Sequence, residues 1–475
     1  MMCHVNALAI KLLVKNVTSL KTFHHSKSSL ARTVVSHNLI ADRMYSNNRN
    51  RYMPAMYPDQ ASCSPPFDGF IMGNHNRRSD TEYTLKSYKL NFSMYGAENP
   101  TRVSIPAVDF RSDTVTRPTQ EMRQAMFEAE VGDDVMEEDP TVKILEKKVA
   151  ALCDKEAGLY VSSGTMGNLV AIMAHTAHVR GADIIVGSKC HIVRYEQGGA
   201  AQIGGVTLNV VPNNPDGTFD IDEMLTQIHE GEHDVHYPVT ALICVENTHN
   251  ACGGRILPLS WLSSIVEIGK EKNIPLHMDG ARLFNAVVAQ GVSAAEITRG
   301  FSSVSICLSK GLGAPVGSVL VGSQDFIKKA RRIRKVLGGG MRQVGVIAAA
   351  GLYAVENNIK RLAEDHYNTL TLANAIAELK SDLVKVNLEV VETNILFIYF
   401  DNSQLTPEEF CSRMVKVTEE ERNALGDNDV CAVQMFSMDS FSARIVLHSN
   451  LTARDVKLAM KKFQFVIKEF MSRTL

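Results

Sequence analysis

From about Val108 onward, the apolar residues follow two alternating periods. Short runs of strand character, "GLYVSS" (158–163), "ADIIVG" (182–187), "TALICVE" (240–246) and "IPLHMD" (274–279), are separated by stretches with helical spacing. "TMGNLVAIMAHTAHV" (165–179) and "WLSSIVEIGKEKN" (261–273) are examples. Strands that alternate with helices predict right-handed crossovers and a mainly parallel sheet. One stretch departs from the pattern. Val304, Ile306 and Leu308 alternate before Lys310, and Val316, Val319, Leu320 and Val321 follow it. The connection between these two strands holds Gly311, Gly313 and Pro315 and is too tight for a crossover, so one strand must run antiparallel. Past Tyr353, "AVENNIKRLAEDHYNTLTLANAIAEL" (354–379) predicts a long helix, and "NILFIYF" (394–400) and "ARIVLH" (443–448) predict strands in a smaller mixed region. The expected fold class is α/β. A large domain over 108–353 carries a mostly parallel mixed sheet flanked by helices, and a smaller C-terminal α+β domain covers 354–475.

The first 107 residues have a different texture and are expected to form an N-terminal extension. Residues 1–41 contain no acid but include Lys11, Lys15, Lys21, Lys27 and Arg32. That composition fits a mitochondrial transit segment and equally a disordered extension with no address. Residues 42–106, rich in Asn, Ser, Tyr, Met and Pro, lack periodicity and read as linker. The whole chain has 475 residues with a net charge of −2, and this near balance points to neither nucleic acid nor an anionic membrane as the main partner. No run is long enough for a membrane span. Nine cysteines stand without CxxC pairs, which favours reduced thiols in an intracellular compartment, the mitochondrial matrix or the cytosol.

Three segments place polar groups where strands end, the usual ligand edge of an open α/β sheet. In "SSGTMGN", Ser163, Gly164 and Thr165 close a strand and open a helix whose free N–H groups favour an anion such as phosphate; an ordinary helix cap has the same look. In "HMDGAR", Asp279 follows a buried run and needs a partner, which a protonated ring nitrogen or Arg282 could provide. Lys310 sits among apolar and glycine residues, where a neutral or covalently occupied amine is cheaper than a charged one; a lysine that snorkels out of a hairpin is the plainer alternative. Together, a phosphate cradle, an acid and a buried lysine are what pyridoxal 5′-phosphate (PLP) requires, with Lys310 as the Schiff-base residue. GxGxxG, GxxxxGK[ST] and GxSxG are all absent. "HDVH" (233–236) reads as a solvated loop, not a metal site, and "KKARRIRK" (328–335) as a solvated basic helix face.

The strings "DFRSDTVTRPTQEMRQAM", "VGDDV", "SSGTMGN", "ENTHN", "GGR", "HMDGAR", "LSKGLGAPVGS" and "LGGGMRQ" resemble the low-specificity L-threonine aldolase family, from about residue 108 to near the C-terminus. The resemblance implies the aspartate aminotransferase fold of PLP-dependent transferases and a carbon–carbon lyase. The implied reaction is cleavage of L-threonine or L-allo-threonine to glycine and acetaldehyde. It implies Lys310 as the PLP lysine, Asp279 on the pyridine nitrogen, and Ser163, Gly164 and Thr165 at the phosphate. His191 is implied on the cofactor ring and His249 near the substrate hydroxyl. Ser112, Arg282 and Arg444 are implied on the substrate carboxylate. Lys335 and Arg342 are implied to reach a phosphate across a subunit boundary in a homotetramer with shared sites. The implied partner is a small β-hydroxy amino acid, without nucleic acid or membrane. Met136 departs from the aromatic residue that many relatives carry after "VGDDV" and bears on the aldehyde side of the pocket. Transamination, β-elimination and serine hydroxymethyl transfer are rival reactions on the same scaffold. A silent PLP-binding subunit and an RNA-binding protein are rivals of other classes.

Overall fold

The computed structural model describes residues 105–473, apart from 231–233 and 402–403. The expected transit segment and most of the expected linker therefore lie outside the described residues, as does His233 of "HDVH". The strands in chain order are β1 (Ala107–Asp109), β2 (Ala157–Val161), β3 (Ala182–Gly187), β4 (Thr207–Val211), β5 (Val239–Glu246), β6 (Leu276–Asp279), β7 (Ser303–Cys307), β8 (Ser318–Gly322), β9 (Val384–Lys385), β10 (Ile395–Phe400), β11 (Ala432–Gln434), β12 (Phe436–Asp439) and β13 (Ser442–Val446).

Seven of them form one sheet in the order β2-β8-β7-β6-β5-β3-β4. Only β8 runs against the rest, paired antiparallel with both β2 and β7. This is the reversal that the tight connection around Lys310 demands. Its consequence is geometric. The carboxyl ends of β2, β7, β6, β5 and β3 share one edge, and the start of β8 joins them there. The central strands β3, β6, β7 and β8 are buried at every position, as expected for a sheet covered on both faces.

A four-stranded sheet, β12-β13-β10-β9, lies in the C-terminal part and is wholly antiparallel. Its core joins Ile398, Ile445 and Phe410 to Val466 and Ile467 of the closing helix Ala453–Arg473. Val108 and Phe110 belong to that core, and β1 pairs in parallel with β11. The start of the folded region is thus part of the C-terminal layer, not of the large sheet, and Ala107, expected in the extension, is already in strand. The pattern could not reveal this, because β1 has only three residues and its partner lies more than 300 residues away.

The long helix expected over 354–379 is two helices, Gly345–Asn357 and Leu362–Ala377. The break falls at Asn358, whose side-chain amide donates to the Leu312 carbonyl at 2.8 Å. An asparagine that bonds backbone elsewhere competes with helix continuation, and here it ties the turn to the loop that bears Lys310. The basic run lies on the helix Gln324–Val336. Phe326, Ile327, Ala330 and Arg334 face inward, while Lys328, Lys329, Arg332 and Lys335 are exposed. Asp234 and His236 of the "HDVH" loop pair with each other in solvent. The seven described cysteines are free thiols.

In the C-terminal part, Glu421 is fully buried and bonds Lys462 at 2.6 Å and Arg413 at 3.2 Å. Removing one member of a buried ion pair strands the remaining charge. Replacing Lys462 by Met is expected to destabilise the protein by about 3–5 kcal/mol, read as a lowered denaturation midpoint; an unchanged midpoint would refute the role of this cluster.

Candidate active site

At the end of β2, Ser163 caps the helix Gly164–Thr176 and accepts from the Met166 N–H at 3.1 Å. The N–H groups of Gly164 and Thr165 precede the first intrahelical bonds, and Thr165 is exposed. A Cβ on Gly164 would lie 2.7 Å from Cys307 Sγ and 3.8 Å from Ser318 Oγ. The helix start therefore packs closely against Cys307 at the end of β7 and Ser318 at the start of β8, a closeness that glycine permits. Lys310 follows β7 on the next loop and is half-buried. A Cβ on its neighbour Gly311 would lie 3.9 Å from Asp113 Oδ2, which sets this loop beside Asp113.

Asp279 ends β6 and is buried. Its Oδ1 accepts from the Ala281 N–H at 3.0 Å and its Oδ2 from the Asn168 amide at 2.9 Å. The same Asn168 amide donates to Glu196 at 2.8 Å, and Glu196 holds His191 Nδ1 at 2.8 Å. Burial works against protonation of His191, but the Glu196 hydrogen bond and the Asp279 charge outweigh it and raise its pKa. His249, after β5, has no exposed surface. Its Nε2 lies 3.6 Å from Cys190 Sγ, and its Nδ1 is buried without a partner. Glu246 orders the surrounding turns by accepting from the N–H groups of His191 at 2.6 Å and Asn250 at 2.9 Å.

Arg282 is clamped by Asp113, with Nε to Oδ2 at 2.8 Å and Nη2 to Oδ1 at 2.7 Å. Burial alone would raise the Asp113 carboxyl. The Arg282 charge and hydrogen bonds, the Lys310 ammonium and Asn394 overcome it and hold the group well below the usual carboxylate range. Arg444, on β13, donates to Asn250 Oδ1 at 2.9 Å and to the Arg111 carbonyl at 3.1 Å. Arg282 Nη1 reaches the same Asn250 oxygen at 3.4 Å. Arg444 Nε is buried and unpartnered. Burial and the neighbouring Arg282 charge bring the Arg444 guanidinium down to about 10. The two guanidiniums thus meet at the Asn250 oxygen, a concentration of positive charge of the kind that suits a carboxylate. Ser112 is buried one residue from the clamp and caps the turn Asp113–Val115.

The structure thus gathers Ser163, Gly164, Thr165, His191, His249, Asp279, Arg282, Lys310, Ser112 and Arg444 along one sheet edge. The donor set fits PLP: free N–H groups at a helix start for a phosphate, a carboxylate for a ring nitrogen and a lysine on the adjoining loop. Lys335 and Arg342 stand apart and exposed, with Arg342 paired to Asp133 at 2.8 Å. Sequence reasoning missed Asp113, Asn168, Glu196, Glu246 and Asn250. Asp113, Asn168, Glu246 and Asn250 lie inside or at an end of quoted strings, so attention to every polar member of those strings would have found them. Glu196 has no signal beyond its closeness to His191.

Two outcomes follow from this geometry. Asp113→Asn leaves Arg282 unpaired and is expected to cost about 3–5 kcal/mol at neutral pH. Because the Asp113 pKa is depressed in the folded state, its contribution is present above the unfolded carboxylate pKa and fades as pH falls towards the folded value. The variant's stability curve should therefore be flatter on the acid side, as measured by denaturant titration from neutral to acid pH. Glu196→Gln keeps an acceptor for His191 Nδ1 but removes the carboxylate charge that favours the protonated ring, so the His191 titration should move to lower pH. The pH dependence of cofactor binding reads this, and an unmoved profile would contradict the assignment.

The beta-eliminating lyase family model matches residues 109–403. Low-specificity L-threonine aldolase 1 of Arabidopsis thaliana is 46% identical over 359 residues, covering 75% of this chain and 96% of that protein. Low specificity L-threonine aldolase of Escherichia coli K12 is 46% identical over 291 residues, covering 61% and 84%. Among solved structures, a putative L-allo-threonine aldolase from Listeria monocytogenes superposes with a TM-score of 0.61 at 19% identity, covering 76% of this chain and 96% of that one. That likeness establishes the PLP-dependent transferase fold expected from the sequence. The chain belongs to the beta-eliminating lyase family, and the two curated relatives just named are low-specificity L-threonine aldolases.

Proposed function

We propose that this chain is a PLP-dependent carbon–carbon lyase that cleaves L-threonine and L-allo-threonine to glycine and acetaldehyde. The observation that carries this reading is the guanidinium pair Arg282 and Arg444, joined at Asn250 Oδ1 beside the sheet edge that bears Lys310 and Asp279, with the buried Arg444 Nε left without a partner. A receptor for an α-carboxylate beside a cofactor lysine selects an amino acid as substrate.

PLP, held through Lys310, the cradle Ser163–Gly164–Thr165 and Asp279, supplies a sink for the electron pair released at Cα. Arg282, Arg444 and Ser112 bind the substrate carboxylate and fix the direction in which Cβ points. His249 accepts the β-hydroxyl proton at its unpartnered Nδ1 as the C–O bond becomes the carbonyl of acetaldehyde and Cα–Cβ breaks. A proton returned to Cα completes glycine. His191, tethered by Glu196, would cover the cofactor ring.

Lys335 and Arg342 belong to this reading as donors to the phosphate of a neighbouring subunit in a homotetramer. Their exposure, and that of Met136 and Val336 at 65% and 76%, supports a covered face there. The basic, acid-free composition of residues 1–41 supports a mitochondrial address, and cell fractionation separates matrix from cytosol.

Replacing Lys310 by Ala is expected to abolish both the visible absorbance of lysine-bound cofactor and the release of acetaldehyde from L-threonine and L-allo-threonine. Acetaldehyde production retained by the variant would overturn the reading. Cofactor absorbance in the native protein without acetaldehyde from either substrate would move the chain to another PLP reaction.

A further inference from the structure

Behind Asp279 lies a chain of buried polar groups that the reaction does not use directly. Asn168 Oδ1 accepts from His277 Nε2 at 3.1 Å, His277 Nδ1 lies 2.9 Å from Ser303 Oγ, and that hydroxyl lies 2.8 Å from His175 Nε2. His277 and Ser303 are register partners on β6 and β7 and have no exposed surface. Asn168 and His175 are seven residues apart on the helix Gly164–Thr176, so both lie on the face that covers these strands.

The protons in this chain have one consistent arrangement. Asn168 Nδ2 faces two carboxyl groups and must be the donor, which leaves Oδ1 to accept. His277 therefore carries its proton on Nε2. Its Nδ1 then accepts from the Ser303 hydroxyl, whose oxygen accepts from His175 Nε2–H. Burial keeps both rings neutral, lowering His277 to about 4 and His175 to about 3. Every donor in the chain points towards Asn168, and serial hydrogen bonds of one direction polarise each other. At its end a single amide orients Asp279, assigned to the cofactor nitrogen, and Glu196, which tethers His191.

We propose that His277 is a positioning residue of the cofactor site: as the donor to Asn168, it fixes the one amide that orients Asp279 and Glu196 together, and through Glu196 the ring of His191. The proposal rests on the PLP reading above. It assigns His277 no contact with cofactor or substrate, and Ser303 and His175 serve to hold its ring and proton in place.

The test titrates the apo forms of the native protein, His277→Leu, His277→Gln, Asn168→Leu and the Leu double variant with PLP. The readouts are the dissociation constant, the pH midpoint of the visible absorbance and the apo melting temperature. Glutamine can donate to Asn168 and accept from Ser303, and leucine can do neither. His277→Leu and Asn168→Leu should each weaken PLP binding by about 10-fold, the scale of one lost hydrogen bond, and shift the pH midpoint. His277→Gln should recover most of both. Because the two residues act in series, the double variant should bind about as weakly as Asn168→Leu alone. Additive losses, or a leucine variant with native affinity and midpoint whatever its melting temperature, overturn the proposal. If His277→Leu does not fold, Ser303→Ala decides: a shifted midpoint supports the chain, and a native one overturns it. Native protein that takes up no PLP would defeat the underlying reading instead, so the two failures are distinguishable.

Discussion

The buried pair Asp113–Arg282 is the constraint on which the site depends. It joins residues 169 positions apart, one just after β1 and the other just after β6, through two hydrogen bonds in a region with almost no solvent. β1 belongs to the C-terminal layer and β6 to the large sheet. The pair therefore fastens the C-terminal layer to the cofactor edge, and Arg444 arrives from that same layer. Without this clamp, Arg282 would lie buried with only a long contact to Asn250 and the Arg444 charge nearby. With it, the two guanidiniums stay close enough to share the Asn250 oxygen.

The remaining charges at this edge are managed chiefly by amides and backbone donors, not by further cations. Asn168 serves Asp279 and Glu196, Asn250 serves Arg282 and Arg444, and backbone N–H groups serve Glu246. Neutral donors and acceptors hold charged groups in place without cancelling their charge. Among the described residues Asp279 and Arg444 thus keep their charges without a salt bridge, whereas Arg282 is already neutralised by Asp113.

Much of this was legible in the sequence, and for identifiable reasons. β3, β5 and β6 were visible because strands buried on both faces form continuous apolar runs, and the reversal at β8 followed from loop length alone. Lys310, Asp279 and Gly164 stood out because each is chemically out of place in its run. What escaped has in common that its meaning is not local. β1 is a strand only because β11 lies beside it, and the break at Asn358 exists because the Leu312 carbonyl needs a donor. Asn168 and Asn250 look like ordinary helix and turn residues until the carboxylates and guanidiniums around them are known. Sequence pattern reports burial and period, whereas the partners of a buried polar group are set by tertiary structure.

The antiparallel strand β8 also separates the site into parts of very different contact range. Lys310 lies on a short connection between adjacent strands, so local chain closure sets its position. The carboxylate receptor needs Asp113, Arg282 and Arg444, which span 331 residues, and loop closure over such distances is slow and costly. The residues assigned above to the cofactor of their own chain lie between Ser163 and Lys310, all before β13. A chain interrupted before β13 would carry the Ser163–Thr165 turn, Asp279 and Lys310 but lack Arg444, and with it the second guanidinium that meets Asn250.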